Sequence, residues 1–401
     1  MTHAFLGRQP ILDRQLKVFG HELLFRSGEA NRAQVLDGDQ ATAAVVVNAF
    51  VEFGIERVVG PAHAFVNITR EFLLAEEPPP FPPDRVIMEI LEDEVVDDAL
   101  VAAVRGLTKA GYRFALDDFV FDPRWEPLLP LASVVKVEVP ALDDAGLAEH
   151  IRLLRCYDLH LLAEKVETKA EFEHLRELGF DLFQGYFFAR PEVLQGQRIP
   201  DNRMATLRLL ACLQKSDADI DEIESVVSQD VGLSYKLLRF INSASVGLPR
   251  KVDSIHRAVV LMGLGPLKRI ATLAAMAGQS DKPSELMRVA LVRARMCELL
   301  CADRVGLDGD SGFTVGLFST LESLMDAPFA DILAKVPLAE EVTAALLDSE
   351  GPLGEILNCA LAYERCDWPR ATCNGTDIEA ISGAYTEAVQ WSYETGGGLL
   401  G

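Results

Sequence analysis

Two hydrophobic periodicities run along this chain of 401 residues, and one gives way to the other near residue 200. Up to about residue 190, short apolar runs alternate with amphipathic stretches. The runs Val18–Phe25, Ala64–Ile68, Val86–Ile90, Arg113–Leu116, Val134–Val139, His160–Ala163 and Leu182–Phe188 have the length and composition of buried strands. Between several of them lie patterns of helical period: Asp97–Ala110, Asp144–Cys156 and Lys169–Leu178. Buried strands alternating with helices imply a mainly parallel sheet with right-handed crossovers. Roughly six or seven such units in this span suit a closed βα barrel better than a doubly wound sheet, and a barrel gathers functional groups at the C-terminal ends of its strands.

From about Asn202 the strand signals vanish. Helical spacing predicts Arg203–Leu213, Ile220–Gln229, Ser234–Asn242, Ser254–Met262, Pro266–Met276, Ser284–Cys301, Gly312–Leu324 and Leu338–Leu347. The polar segment Pro191–Pro200, with a proline at each end, reads as a linker. The expected organisation is an α/β TIM-like barrel over residues 1–190, a linker over 191–201, and an all-α domain over 202–401. The tail from Thr372, ending Gly-Gly-Gly-Leu-Leu-Gly, is expected to fray.

Composition narrows the function. A hydrophobic fraction of 49% is enough to fill two cores. The net charge of −23 opposes non-specific binding to nucleic acid or to anionic membranes, while drawing divalent cations towards any cluster of carboxylates. No basic segment leads into an apolar run at the N-terminus, and runs such as Ala258–Leu264 are far short of a membrane span, so a cytoplasmic location is expected. The cysteines number seven, with no CxxC pair and no spacing of a zinc motif, so they read as reduced, structural thiols.

The candidate chemistry sits at the strand ends. Glu22 and Arg26 belong to the first run, Asn67 ends the second, Glu89 and Glu92 the third, and Asp117-Asp118 the fourth. Lys136 and Glu138 lie within the fifth, Glu164, Lys165 and Glu167 follow the sixth, and Gln184 lies in the seventh. Charged residues inside apolar strands are costly unless they are paired or bound to a metal. In a closed barrel these oxygens converge on one mouth, and an oxygen-only set suits Mg²⁺ or Mn²⁺ rather than zinc. Two ions there would clamp a water and the phosphorus of a phosphodiester, with Lys136 orienting the water or stabilising developing charge. A structural ion-pair network is the alternative reading of the same residues.

The ordered motifs Gln9-Pro10-Ile11, Glu22-Leu-Leu, Val66-Asn67, Glu89-x-x-Glu92, Asp117-Asp118-Phe119, Lys136, Ala163-Glu164-x-Val166-Glu167-Thr168 and Gln184-Gly185-Tyr186 resemble the EAL family of cyclic di-GMP phosphodiesterases over nearly all of residues 5–191. The resemblance implies a metal set of Glu22, Asn67, Glu89, Asp117, Asp118 and Glu164. It makes Glu22, Lys136 and Glu164 catalytic and places Gln9, Arg26 and Gln184 at the substrate. Glu167 would anchor the loop that follows Asp117-Asp118. Departures from the family pattern surround this set. Leu23 stands where the family has Ala, Val120 where it has Gly, Leu91 where it has Thr, Glu138 where it has Asp, and Lys165 where it has Gly. Val120 is barred from the conformations open to Gly, so its loop must take another path. The chain between Arg26 and Asn67 is also shorter than the family's usual length.

The segments Gln229–Ala244 and Val252–Gly265 resemble the HDOD domain, a helical relative of the metal-dependent HD phosphohydrolases. The His-Asp position of those enzymes reads Ser319-Thr320 here, and His256 is the only histidine after residue 174, so this half is expected to be non-catalytic and to bind protein partners. The whole is therefore expected to be a cyclic di-GMP-related signalling adaptor with a weak or inactive EAL barrel and Mg²⁺ or Mn²⁺ as cofactor. Two alternatives stay open: an active phosphodiesterase releasing the linear dinucleotide, and a protein scaffold that binds no nucleotide. A homodimer through the region after Asp117-Asp118 is left open because Val120–Trp125 departs from the family there.

Overall fold

A computed structural model describes residues 4–27, 54–75, 78–142, 144–189, 201–215, 220–228, 231–243, 246–248, 251–252, 254–277, 282–302, 304, 306–373 and 375–399. By internal contact the chain divides into two compact units, one holding the N-terminal barrel together with Tyr363–Pro369, the other holding the remaining helices. The sequence reading counts Tyr363–Pro369 with the helical half. Of the linker expected over 191–201, residues 191–200 lie outside the described residues and Asp201 begins the helix Asp201–Gln214.

The first unit is a closed barrel of eight strands in sequence order. These are β1 (Ala4–Asp13), β2 (Val18–Ser27), β3 (His63–Asn67), β4 (Val86–Ile90), β5 (Arg113–Leu116), β6 (Val134–Glu138), β7 (His160–Glu164) and β8 (Leu182–Gln184). From β2 to β8 all pairings are parallel, whereas β1 runs antiparallel to both its neighbours. The sequence reading missed β1 because Pro10 sits in its middle and a proline removes a ladder donor.

Side-chain alternation turns these strands into two stacked layers. The lower layer is apolar: Ile11, Phe65, Ile87, Ala115, Val134, Leu162 and Leu182, each at most 2% exposed, with Phe19 packed against them. Each fully buried Val, Leu, Ile or Phe among them contributes about 1.5–3 kcal/mol. On β2 the layer is completed by Gly20, where a Cβ would lie 2.7 Å from the Phe65 ring. One pleat period towards the mouth from these positions stand Gln9, Glu22, Asn67, Glu89, Asp117, Lys136, Glu164 and Gln184. A hydrophobic plug thus supports a polar ring.

The helices start where local hydrogen bonding favours it. Asp97 caps Asp98–Lys109 by accepting from the Leu100 N–H, and Thr168 and Glu171 form a reciprocal capping box before Lys169–Leu178. The last expected strand, Leu182–Phe188, ends instead at Gln184. Gly185 turns the chain there at φ 148°, and a Cβ on it would stand 1.9 Å from Val166 O.

In the second unit the helix Ser284–Ala302 is buried on most of its circumference. It packs closely on Gly309–Phe318: a Cβ on Gly312 or Gly316 would come within 2.4 Å of Cys301 Sγ or Arg293 O. The helix expected over Gly312–Leu324 is broken into Gly309–Phe318 and Leu321–Met325. The cause is local: Ser319 Oγ donates to Gly316 O at 2.6 Å and Thr320 Oγ1 to Leu317 O at 3.0 Å, and such back-bonds compete with helix propagation. Asn242 fastens the two HDOD-like segments: its amide donates to Leu238 O and Val252 O, and its carbonyl accepts from the Val252 N–H, all within 2.8 Å. The tail, expected to fray, contains the helix Ile378–Leu399. Ile381, Tyr385, Ala388, Val389 and Ser392 bury one face of it at helical spacing, which outweighs the weak propensity of its glycines. Among the described residues no helix is long and apolar enough to cross a membrane.

Candidate functional site

The polar ring of the barrel closes around Lys136. Its Nζ lies 2.6 Å from Asp117, 2.9 Å from Glu89, 3.1 Å from Glu164 and 3.5 Å from Glu22. Four strands deliver these carboxylates to one cation because each sits one pleat above a core residue. Lys136 is 1% exposed and Glu89 0%. Gln184 extends the ring towards β1, its amide donating to Glu22 at 2.5 Å and to Gln9 at 3.1 Å.

With every group ionised, four negative charges face one positive charge in a buried space. Burial pushes the Glu89 carboxyl well above the usual carboxylate range, with Glu22 and Asp117 adding to the rise and Lys136 opposing it. Burial likewise raises Glu164, to about 7, against the pull of Lys136. Burial disfavours charge on Lys136 itself, yet Glu89, Glu22, Glu164 and Asp117 outweigh it and hold the ammonium well above its ordinary pKa.

Asp117, Asp118 and Glu164 each present an oxygen within 4.8 Å of the others. Asp118 occupies a left-handed turn at φ 39°, and burial together with Asp117 raises its carboxyl pKa. Val120 is not among the residues of positive φ. The loop instead buries Phe119 and Trp125 and is tied down by Phe119 N–H donating to Lys136 O at 2.8 Å.

Asn67 stands at the end of β3 with its Oδ1 buried. Among the described residues, Asn67 Oδ1, Glu89 Oε2, Glu164 Oε2 and Gln184 Oε1 have no hydrogen-bond partner. Orphaned buried oxygens around an excess of negative charge fit a hard cation such as Mg²⁺ or Mn²⁺.

Arg26 lies on β2 opposite Phe5, and its side chain is outside the described residues. Glu167 is exposed beside the capping box, its backbone N–H donating to the Glu171 carboxylate at 2.8 Å. Leu23 is buried at 3% exposure, facing away from the ring. Lys165 holds φ 57°, a conformation that favours glycine, and its ammonium pairs with Glu138 at 2.7 Å. That bond raises the Lys165 pKa first, with the charges of Asp118 and Glu164 contributing further, so a fixed cation stands beside the carboxylate cluster.

Sequence reasoning gives no role to Tyr186, Cys366 or Trp368. Tyr186 donates through its hydroxyl to Glu364 O at 2.9 Å, and Cys366 and Trp368 pack over Gly7. The Gln-Gly-Tyr motif points to Tyr186, but no local pattern joins Tyr363–Pro369 to the barrel, since the contact spans 178 residues.

The HDOD domain family matches residues 199–335. Along nearly its whole length the chain is similar to the cyclic di-GMP phosphodiesterase CdgJ of Vibrio cholerae, at 34% identity over 98% of this chain and 93% of that protein. It is similar in the same way to the uncharacterized protein YuxH of Bacillus subtilis, at 33% identity over 97% of this chain and 98% of that one. Among solved structures, BlrP1 of Klebsiella pneumoniae in complex with calcium and cyclic di-GMP matches 47% of this chain and 55% of its own, at 24% identity and a TM-score of 0.39.

Proposed function

The chain belongs to the EAL–HDOD family, and from that premise we propose that it is a cyclic di-GMP signalling protein whose barrel binds the dinucleotide with a divalent cation and hydrolyses it little or not at all. One observation carries the reading: three buried carboxylates and the partly exposed Asp117 surround a single lysine, which leaves an excess of negative charge for a cation to balance. Glu22, Asn67, Glu89 and Asp117 would hold one ion, and Asp117, Asp118 and Glu164 a second. Bound there, a divalent cation would polarise a phosphoryl oxygen and lower the pKa of a coordinated water. Lys136 supplies a fixed positive charge in the same box, Gln184 donates to Glu22, and Gln9, Gln184 and Arg26 would meet the substrate, Arg26 at a phosphate. Glu167 would steady the loop after β5.

Weak turnover follows from Lys165. Its ammonium, anchored on Glu138 at 2.7 Å and electrostatically coupled to Asp118 and Glu164, would oppose a cation held by those carboxylates. The helical half is read as a protein-interaction module. Its Ser319 and Thr320 hydroxyls bond to the backbone, and Tyr235 and Val260 are 66% and 73% exposed.

A second reading, an active phosphodiesterase, is favoured by the completeness of the ring around Lys136. The deciding experiment incubates the purified chain with cyclic di-GMP and Mn²⁺ and follows both binding and linear product. Saturable binding with little product supports the proposal. Fast turnover that is lost in Glu22→Ala and Lys136→Ala would establish the second reading, and absence of binding would leave a scaffold.

A further inference from the structure

The barrel unit contains one piece of chain that is remote in sequence from everything around it. Tyr363–Pro369 groups with the barrel by contact. Tyr363 is fully buried and its hydroxyl donates to Leu6 O at 3.3 Å. Glu364 O accepts from the Tyr186 hydroxyl at 2.9 Å. Cys366 and Trp368 lie so close over Gly7 that a Cβ there would stand 2.6 Å from Cys366 Sγ. The Tyr363 and Trp368 rings meet edge to face, 5.0 Å between centroids, which braces the segment internally.

All these anchors lie at the carboxylate end of the barrel. In the β1–β2 ladder Gln9 pairs with Glu22, and Gly7 and Leu6 lie two and three residues further towards the mouth, opposite Leu24 and Phe25. Tyr186 is two residues past Gln184, whose amide donates to Glu22. The charge on Glu22 is also felt at Cys366, where it adds to burial in raising the thiol pKa.

Arg365 sits between the anchored residues Glu364 and Cys366. It is exposed, and its guanidinium lies over the Tyr186 ring, 5.9 Å from the centroid. Such an exposed contact stabilises a fold only slightly. It does hold an exposed planar donor fork over Tyr186, two residues past Gln184 in sequence, where an anion can reach it. In a chain of net charge −23, an anionic ligand gains from a local cation at the point where it docks.

We infer that Tyr363–Pro369 forms one wall of the ligand site at the barrel mouth, with Arg365 pairing with a phosphate of the bound cyclic dinucleotide and Tyr186 offering a face for its base. This rests on the reading that the mouth binds such a diester, and it names a specificity determinant encoded far from the barrel sequence.

The test uses the full chain with Arg365→Ala and the conservative Arg365→Lys. Cyclic di-GMP affinity is measured in saturating Mn²⁺ at low and high salt, and Mn²⁺ binding is measured alone by thermal shift. Arg365→Ala should weaken dinucleotide binding about 10- to 100-fold, as for loss of a charged hydrogen bond. Arg365→Lys should retain part of the affinity, the difference should shrink at high salt, and Mn²⁺ binding should be unchanged. If the unaltered chain binds the dinucleotide and Arg365→Ala binds it equally well, the wall assignment is wrong while the reading of the barrel stands. If the unaltered chain binds no dinucleotide in saturating Mn²⁺, the reading fails and the wall assignment falls with it.

Discussion

Replacing Lys165 with glycine should increase cation affinity and turnover while leaving the fold in place. Lys165 holds φ 57°, which costs a residue with a side chain about 1–2 kcal/mol. Glycine relieves that strain, but its freedom in the unfolded chain takes back about 0.5–1 kcal/mol. The pair with Glu138 is lost too, yet with the lysine side chain 58% exposed it contributes only about 0–1 kcal/mol. These contributions nearly cancel, so the melting temperature should move by no more than about 4 °C. The effect on the site is one-sided. Two unit charges 4 Å apart interact by about 1 kcal/mol in water, and a divalent ion doubles the interaction at any given distance. Removing the ammonium should therefore favour cation binding by on the order of 1 kcal/mol, a factor of about five to ten. The assay is the initial rate of linear dinucleotide formation against Mn²⁺ concentration for both proteins, with melting curves alongside. A lower half-saturating Mn²⁺ concentration and a faster plateau are expected. An unchanged Mn²⁺ dependence at an unchanged melting temperature would refute the argument that Lys165 restrains the site.

Three further outcomes are expected. Lys136→Met leaves the buried Glu22, Glu89 and Glu164, and the partly exposed Asp117, without their cation and should lower metal-free stability by about 3–5 kcal/mol in urea unfolding, with Mn²⁺ restoring part of the loss. Metal-free stability should fall between pH ~4.5 and ~7: Glu164 has its carboxyl raised from 4.5 to about 7, so the folded state binds more protons in that window and the unfolding free energy drops as pH rises. Glu164 alone corresponds to roughly 3 kcal/mol as an upper bound, and saturating Mn²⁺ should flatten the slope measured by denaturation at stepped pH. Asn242→Ala strands the Val252 N–H and carbonyl and should destabilise the helical unit by about 2–3 kcal/mol, read as a lower denaturation midpoint with an unchanged slope.

The polar ring was legible because a barrel strand has a period of two. Ile87 and Glu89, Val134 and Lys136, or Leu162 and Glu164 announce an apolar residue below and a charged residue above without any knowledge of the turns between. The antiparallel β1 was hidden by Pro10, and the break at Ser319-Thr320 by hydroxyl bonds that periodicity does not register. The tail helix was obscured by glycines whose low propensity is overridden by Ile381, Tyr385 and Val389 packing into a core. The Tyr363–Pro369 contacts were beyond local reasoning altogether, because they depend on closing a loop of 178 residues between Tyr186 and Glu364. Lys165 was recognisable as a foreign charge at the mouth, but its pairing with Glu138 required the β6–β7 register that sets Glu138 beside Glu164.

The most direct test of the central claim is Mn²⁺-dependent stabilisation of the unaltered chain and of Glu89→Ala. At a hundredfold excess over the dissociation constant, binding to the folded state alone adds about 2.7 kcal/mol, or about 5–11 °C in melting temperature for a unit of this size. The account predicts that rise in the unaltered chain and its loss in Glu89→Ala. An equal rise in both proteins, or none in either, would contradict a cation site at the barrel mouth.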